Sequence, residues 1–159
     1  DKGSPQVLSD ASNGTVSDTS VTSMNSGIKI SDNGRVIAFK YWVSNVGLQQ
    51  GKPYRVKVLK WDGIDIDSLN EIGEFYTSQN GSGCELSSDG THTHIAISDD
   101  NNTAGKVSVY KYSGSGTIWE QIGSSIQLTG NSWAGLSVDN SHTTLYTYSN
   151  NIFSKYDFQ

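Results

Sequence analysis

Three Asp-centred turns recur along this chain of 159 residues, at Asp32, Asp89 and Asp139, with spacings of 57 and 50 residues. Each turn leads into an apolar triplet: Ile37-Ala38-Phe39, Ile95-Ala96-Ile97 and Leu145-Tyr146-Thr147. A polar loop follows, then a stretch ending in Lys plus an aromatic: "RVKVLKW" to Trp61, "KVSVYKY" to Tyr112, "NIFSKY" to Tyr156. Val56 and Val58, like Val107 and Val109, alternate with polar residues, the period of a half-buried strand. A fourth element appears twice, "LNEIG" at 69–73 and "WEQIG" at 119–123. Self-similarity at this period restricts the chain to architectures that stack one supersecondary unit on the next.

Each unit therefore reads as four short antiparallel strands, with the Asp turn between the first and second. Asp or Asn caps such a turn through the local backbone, and Gly supplies a positive φ. Gly34 and Gly90 fill that role in units one and two, and Asn140 is the candidate in unit three. Four strands in roughly 50 residues is the pattern of a β-propeller blade. Composition agrees with an all-β chain: 17 Gly, 8 Tyr, 4 Trp and abundant Ser, Thr and Asn, with a single Met.

The stretch "GCELSSDGTHTHIAISDDNNTAGKVSVYKYSGSGTIWEQIGSSI" resembles the β-propeller repeats of large secreted or surface proteins of bacteria and algae. Their pattern is roughly G-x-S-V-S-L-S-x-D-G-x-x-L-A-I-G, a polar loop, G-x-V-x-V-Y, then W-x-Q-x-G-x-x-I. The resemblance is good over Gly83–Ile126, looser over Gly27–Glu74 and partial over Gly135–Phe158. The units are distantly similar to integrin-α FG-GAP repeats, without the dense D-x-D-x-D calcium loop. The resemblance implies fold more than function, because propellers host unrelated activities.

The units divide the chain into an N-terminal strand with a Ser/Thr-rich linker (1–27), a first blade (28–81), a second (82–131) and a partial third (132–159) that lacks its last strand. "PQVLS" aligns with "EQIGS" at 120–124, so Gln6, Val7 and Leu8 read as an orphan fourth strand. The chain thus carries about three blades' worth of strands, offset by one. Closed propellers have about four to eight blades, and open strand edges recruit partners. Gln6, Val7 and Leu8 at one end and Lys155 and Tyr156 at the other are the candidate assembly strands. They would pair between copies, closing a ring or building a filament, or pair with neighbouring blades of a longer chain. A start at Asp1 reads as a processed end or as part of something longer.

Other chemistry is sparse. A net charge of −5 with 11 Lys and Arg argues against nucleic-acid binding. No apolar run approaches the ~20 residues of a membrane helix. Cys84 is the only cysteine, which rules out an internal disulfide; on an innermost strand it reads as a buried thiol. Sequons begin at Asn13, Asn80 and Asn101, as candidate glycosylation sites. His92 and His94 fall on the second turn or the start of the strand after it, His142 holds the place of His92 in the third, and all three read as exposed hairpin residues, so no metal site is expected. Weak calcium candidates are Asp99, Asp100 and Asn102 in a polar loop, but they depart from the order of an EF-hand. No nucleophile elbow or triad is visible, and Arg35 and Arg55 are the only arginines. Tyr41, Trp42 and Trp133 are the candidate exposed aromatics for sugar stacking, while Trp119 reads as packing between blades.

These readings converge on a non-enzymatic, extracellular or cell-surface structural or adhesive propeller-repeat protein. It would need no cofactor and would act through strand completion in a larger assembly. The alternatives are a carbohydrate-binding propeller lectin, whose partners would be glycans, and a fragment of a propeller hydrolase.

Overall fold

The computed structural model describes residues 26–42, 54–63, 69–77, 83–100, 104–129, 132–138 and 143–158. Eleven strands and no helix occur among them: β1 (Ser26–Ile30), β2 (Val36–Trp42), β3 (Tyr54–Trp61), β4 (Leu69–Thr77), β5 (Cys84–Ser88), β6 (Thr93–Asp100), β7 (Ala104–Tyr112), β8 (Trp119–Thr129), β9 (Ser132–Val138), β10 (Thr143–Ser149) and β11 (Ile152–Phe158). The expected all-β class is what the chain adopts. The strands form three antiparallel meanders: β1-β2-β3-β4, β5-β6-β7-β8 and β9-β10-β11.

Alternation along the strands decides how the sheets meet. On one face of the first sheet, Val36, Ala38, Val56, Val58 and Ile72 pack with Cys84, Ile95 and Ile97 of the second. The opposite face of the second sheet, with Ala96, Val107, Val109 and Leu128, packs on Leu145 of the third. Ala38 and Ala96 hold the same place in their units, and so do Val58 and Val109. The same face of each unit therefore meets the reverse face of the next. Ala38, Val56, Val58, Ile95 and Leu145 are fully buried, and the Val, Ile and Leu side chains each contribute about 1.5–3 kcal/mol when removed from water.

Each junction carries a glycine that receives an aromatic ring. Gly73 in β4 leaves no room for a Cβ beside the Trp119 indole, whose Nε1 donates to the Ile72 carbonyl at 2.6 Å. Gly123, at φ 66° in β8, faces the Phe158 ring, which would lie 3.0 Å from a Cβ there. Both glycines sit beside irregularities in pairing, between Val58 and Leu59 and between Val107 and Val109. Phe75, Tyr110, Tyr112 and Trp119 extend the first junction as a ring cluster, with Phe75 and Trp119 edge-on at 5.5 Å.

The third sheet corrects one alignment. Tyr146 pairs with Lys155, whereas its counterpart Ala96 pairs with Val109. Phe158, rather than Tyr156, therefore holds the place of Trp61 and Tyr112. The two-residue slip keeps every side chain on its expected face, because strand alternation has period two. The cause is the short Asn150-Asn151 turn, whose φ values of 50° and 63° close a two-residue hairpin.

Candidate functional site

The repeated turns proved to be built around serine. Ser31 and Ser88 each precede the aspartate and are buried. In the first turn, Ser31 Oγ accepts from the Val36 amide at 2.9 Å and donates to Asn33 Oδ1 at 2.8 Å. Asn33 Oδ1 also accepts from the Arg35 amide at 3.0 Å, while Asp32 is exposed. In the second turn Asp89 takes the acceptor role, from the amides of Thr91 and His92 at 2.8 and 2.7 Å. These bonds and the His92 ring at 3.0 Å hold its carboxyl down to about 2. The expected positive φ is present at Gly34 (69°) and Gly90 (95°), and Asn140 lies outside the described residues. The Ser-Asp pair was visible in the sequence as a recurrence, but its buried member was overlooked.

His94 corrects the expectation of exposed histidines. It lies in β6, only 5 % exposed, and its Nδ1 has no hydrogen-bond partner among the described residues. Burial, with the charges of Lys111 and His92 added, pushes its pKa down to about 4, so the ring is neutral at pH 7. His92 is on the turn before the strand and pairs with Asp89. The two rings do not share a ligand. His142 lies outside the described residues.

The calcium candidates are also corrected. Ser98, Asp99 and Asp100 continue β6 instead of forming a loop. Asp99 and Asp100 are therefore strand residues, and the side chain of Asp100 lies outside the description. Asn102 lies outside the described residues, and among those described no group of three metal-ligating side chains comes together.

Tyr41 is 6 % exposed, contrary to the expectation of an exposed stacking ring. Its hydroxyl donates to Glu74 Oε1 at 2.7 Å, and the Tyr76 hydroxyl donates to Glu74 Oε2 at the same distance. Arg55 Nη1 stands 3.6 Å from Glu74. Burial raises the Glu74 carboxyl, but the two phenols and Arg55 outweigh it and leave the group lowered. Burial and the same carboxylate raise the Tyr41 phenol well beyond its ordinary range. Each carboxylate oxygen of Glu74 thus accepts from a phenol, with the Arg55 guanidinium beside it. The side chains of Trp42 and Trp133 lie outside the description; the backbone of Trp133 pairs with Tyr148.

Cys84 is buried as expected and unpaired, its thiol pushed by burial up to about 12. Beside it lies an unforeseen buried cation: Lys40 has no exposed surface, and its Nζ sits 4.5 Å from the centre of the Tyr54 ring. Burial lowers its pKa to about 8, against opposing pulls from Cys84 and Asp99. No sequence periodicity marks this lysine, since its strand position alternates as an apolar one would.

Lys155 and Tyr156 lie on β11, which has β10 on one side and no further strand on the other among the described residues. Gln6, Val7 and Leu8 lie outside the described residues, as do Asn13, Asn80 and Asn101. The face of the third sheet turned away from the second presents Tyr146 and Tyr148, each 38 % exposed, and Phe153, 70 % exposed. Tyr146 and Phe153 are in ring contact at 5.8 Å. Their counterparts in the second unit, Ala96 and Val107, are 1 % exposed. No described helix is long and apolar enough to cross a membrane. Comparison with protein-family models, curated proteins and solved structures finds no match to this chain.

Proposed function

We propose that the chain is a non-enzymatic, extracellular structural or adhesive protein of β-propeller repeats, acting within a larger assembly. In this reading each four-stranded meander is a blade, and the third blade is completed by a fourth strand from another copy. One observation carries the reading. The third meander stacks on the second as the second stacks on the first, yet among the described residues it has three strands and presents an exposed aromatic face. Unpaired strand edges and apolar patches of this kind mark interaction surfaces. The stacking lectin is less favoured, because the Tyr41 ring is buried.

Size-exclusion chromatography with light scattering tests the assembly. The expected result is a species of two or more copies, reduced to single chains by deletion of residues 1–10. A folded, strictly monomeric protein at every concentration would overturn the proposal. Unchanged assembly after the deletion would remove Gln6–Leu8 as the completing strand.

A further inference from the structure

Between the first and second sheets, at the end where their turns lie, is a cleft of about 450 Å³ lined by Asn33, Arg35, Val36, Lys60, Ser88, Gly90 and Thr93. The volume falls in the usual range for small-ligand sites, about 300–1,000 Å³. Its polar lining consists of two cations, an amide and two hydroxyls, with no carboxylate among the residues.

The two cations are held there by the fold. Val36 pairs with Lys60 across β2 and β3, which brings Arg35 and Lys60 to neighbouring positions, and the Trp61 amide donates to the Arg35 carbonyl at 2.8 Å. The Arg35 guanidinium lies over Gly63, where a Cβ would come within 3.1 Å of it, so the bare glycine makes its seat. Lys60 leans toward the second sheet, its Nζ 6.0 Å from the centre of the Tyr112 ring. Lys29, Arg55, Lys57 and Lys155 are each paired with a carboxylate, whereas neither Arg35 nor Lys60 is ion-paired with a described residue.

The neutral groups complete a set of donors. Asn33 Oδ1 is taken by Ser31 and the Arg35 amide, which turns its Nδ2 toward Gly90 in the facing turn. Ser88 and Thr93, both buried, share one hydrogen bond at 2.9 Å, and two hydroxyls sharing one bond keep one hydrogen to donate. Guanidinium and ammonium groups donate and never accept, and a guanidinium matches a planar or tetrahedral oxyanion with two parallel bonds. In a chain of net charge −5, this concentration of donors is local.

We propose that this cleft binds an oxyanion, a sulfate ester or a carboxylate, carried on a ligand of about the size of a sugar ring. Arg35 and Lys60 neutralise the charge, and Asn33 with the Ser88–Thr93 pair bonds the remaining oxygens. The site lies within one chain and does not depend on assembly.

Titration of the ¹⁵N-labelled protein with glucose 6-sulfate, glucuronate and glucose, at fixed ionic strength, tests the site through the amide shifts of Asn33, Gly90 and Thr91. Saturable shifts are expected for the charged sugars, with affinity falling about tenfold or more in Arg35→Ala and in Lys60→Gln. Lys106→Ala, an exposed cation away from the cleft, should leave affinity unchanged. Tighter binding of glucose 6-sulfate assigns the sulfate ester, and tighter binding of glucuronate the carboxylate. Equal binding of glucose, shifts that never saturate, or wild-type affinity in both cleft variants would overturn the proposal. Arg35 and Lys60 are exposed, and an unchanged amide spectrum away from the cleft verifies that each variant is folded.

Discussion

His94 and Lys40 show how a single buried base ties the stability of this fold to pH. Each is held in the native state with a pKa below its ordinary value, His94 at about 4 instead of 6.5 and Lys40 at about 8 instead of 10.5. The unfolded chain therefore binds more protons than the native one between those limits, and stability rises with pH across each window. For His94 the loss begins as pH falls through 6.5 and is complete below 4. Its size is about 2 kcal/mol between pH 7 and pH 5. Urea denaturation at the two pH values measures it, and His94→Gln should flatten that part of the profile. Loss of the pH dependence above 8 is expected in Lys40→Met, read from urea midpoints at pH 8 and pH 10. Neither residue was legible as buried. His94 falls where turn and strand meet, and the start of β6 at Thr93 makes it a buried strand residue while His92 stays on the turn.

At the level of elements, the sequence pattern carried most of what the sheets became. Alternating valines, the Asp turns and the repeated "IG" motif were enough to order the strands within each meander. What escaped was the slip in β11, because "SKY" imitates the Lys-aromatic ending of the earlier units, while the two-residue turn at Asn150-Asn151 places Phe158 there instead. That turn is testable. Asn151→Ala puts a side chain of poor left-handed tolerance at φ 63° and removes the acceptor of the Tyr148 hydroxyl. The expected cost is about 1 kcal/mol, read from the urea midpoint, with Asn151→Gly closer to wild type. The Gly73 notch predicts a larger effect. Gly73→Ala forces the Trp119 indole out of its seat at a cost of about 1–3 kcal/mol. In a double-mutant cycle with Trp119→Ala, the two losses should fall short of additive, since both break the same contact.

At the scale of the molecule, the three described sheets stack one on the next. The exposed face of Tyr146, Tyr148 and Phe153 occupies places that are filled in the interior by small or aliphatic residues under a neighbouring sheet. If copies cover that face, melting temperature rises with protein concentration, and Phe153→Lys removes the dependence while sparing the fold, since Phe153 is 70 % exposed. A concentration-independent melt in the wild type would count against coverage by a second copy. The candidate oxyanion cleft was not legible in sequence because its two cations, 25 residues apart, become neighbours only through the pairing of Val36 with Lys60.

The glycine notches have a consequence for the order of the units. Gly73 accepts an indole and Gly123 a phenyl ring, so each joint is keyed to its own neighbour. In the aligned N-terminal segment, Gln6-Val7-Leu8 against Gln121-Ile122-Gly123, the key position holds Leu8. A leucine has no hollow to give. In the proposed assembly, a seam made with that segment would therefore differ from the joints inside the chain, and a copy joined there would be distinguished from a unit within it.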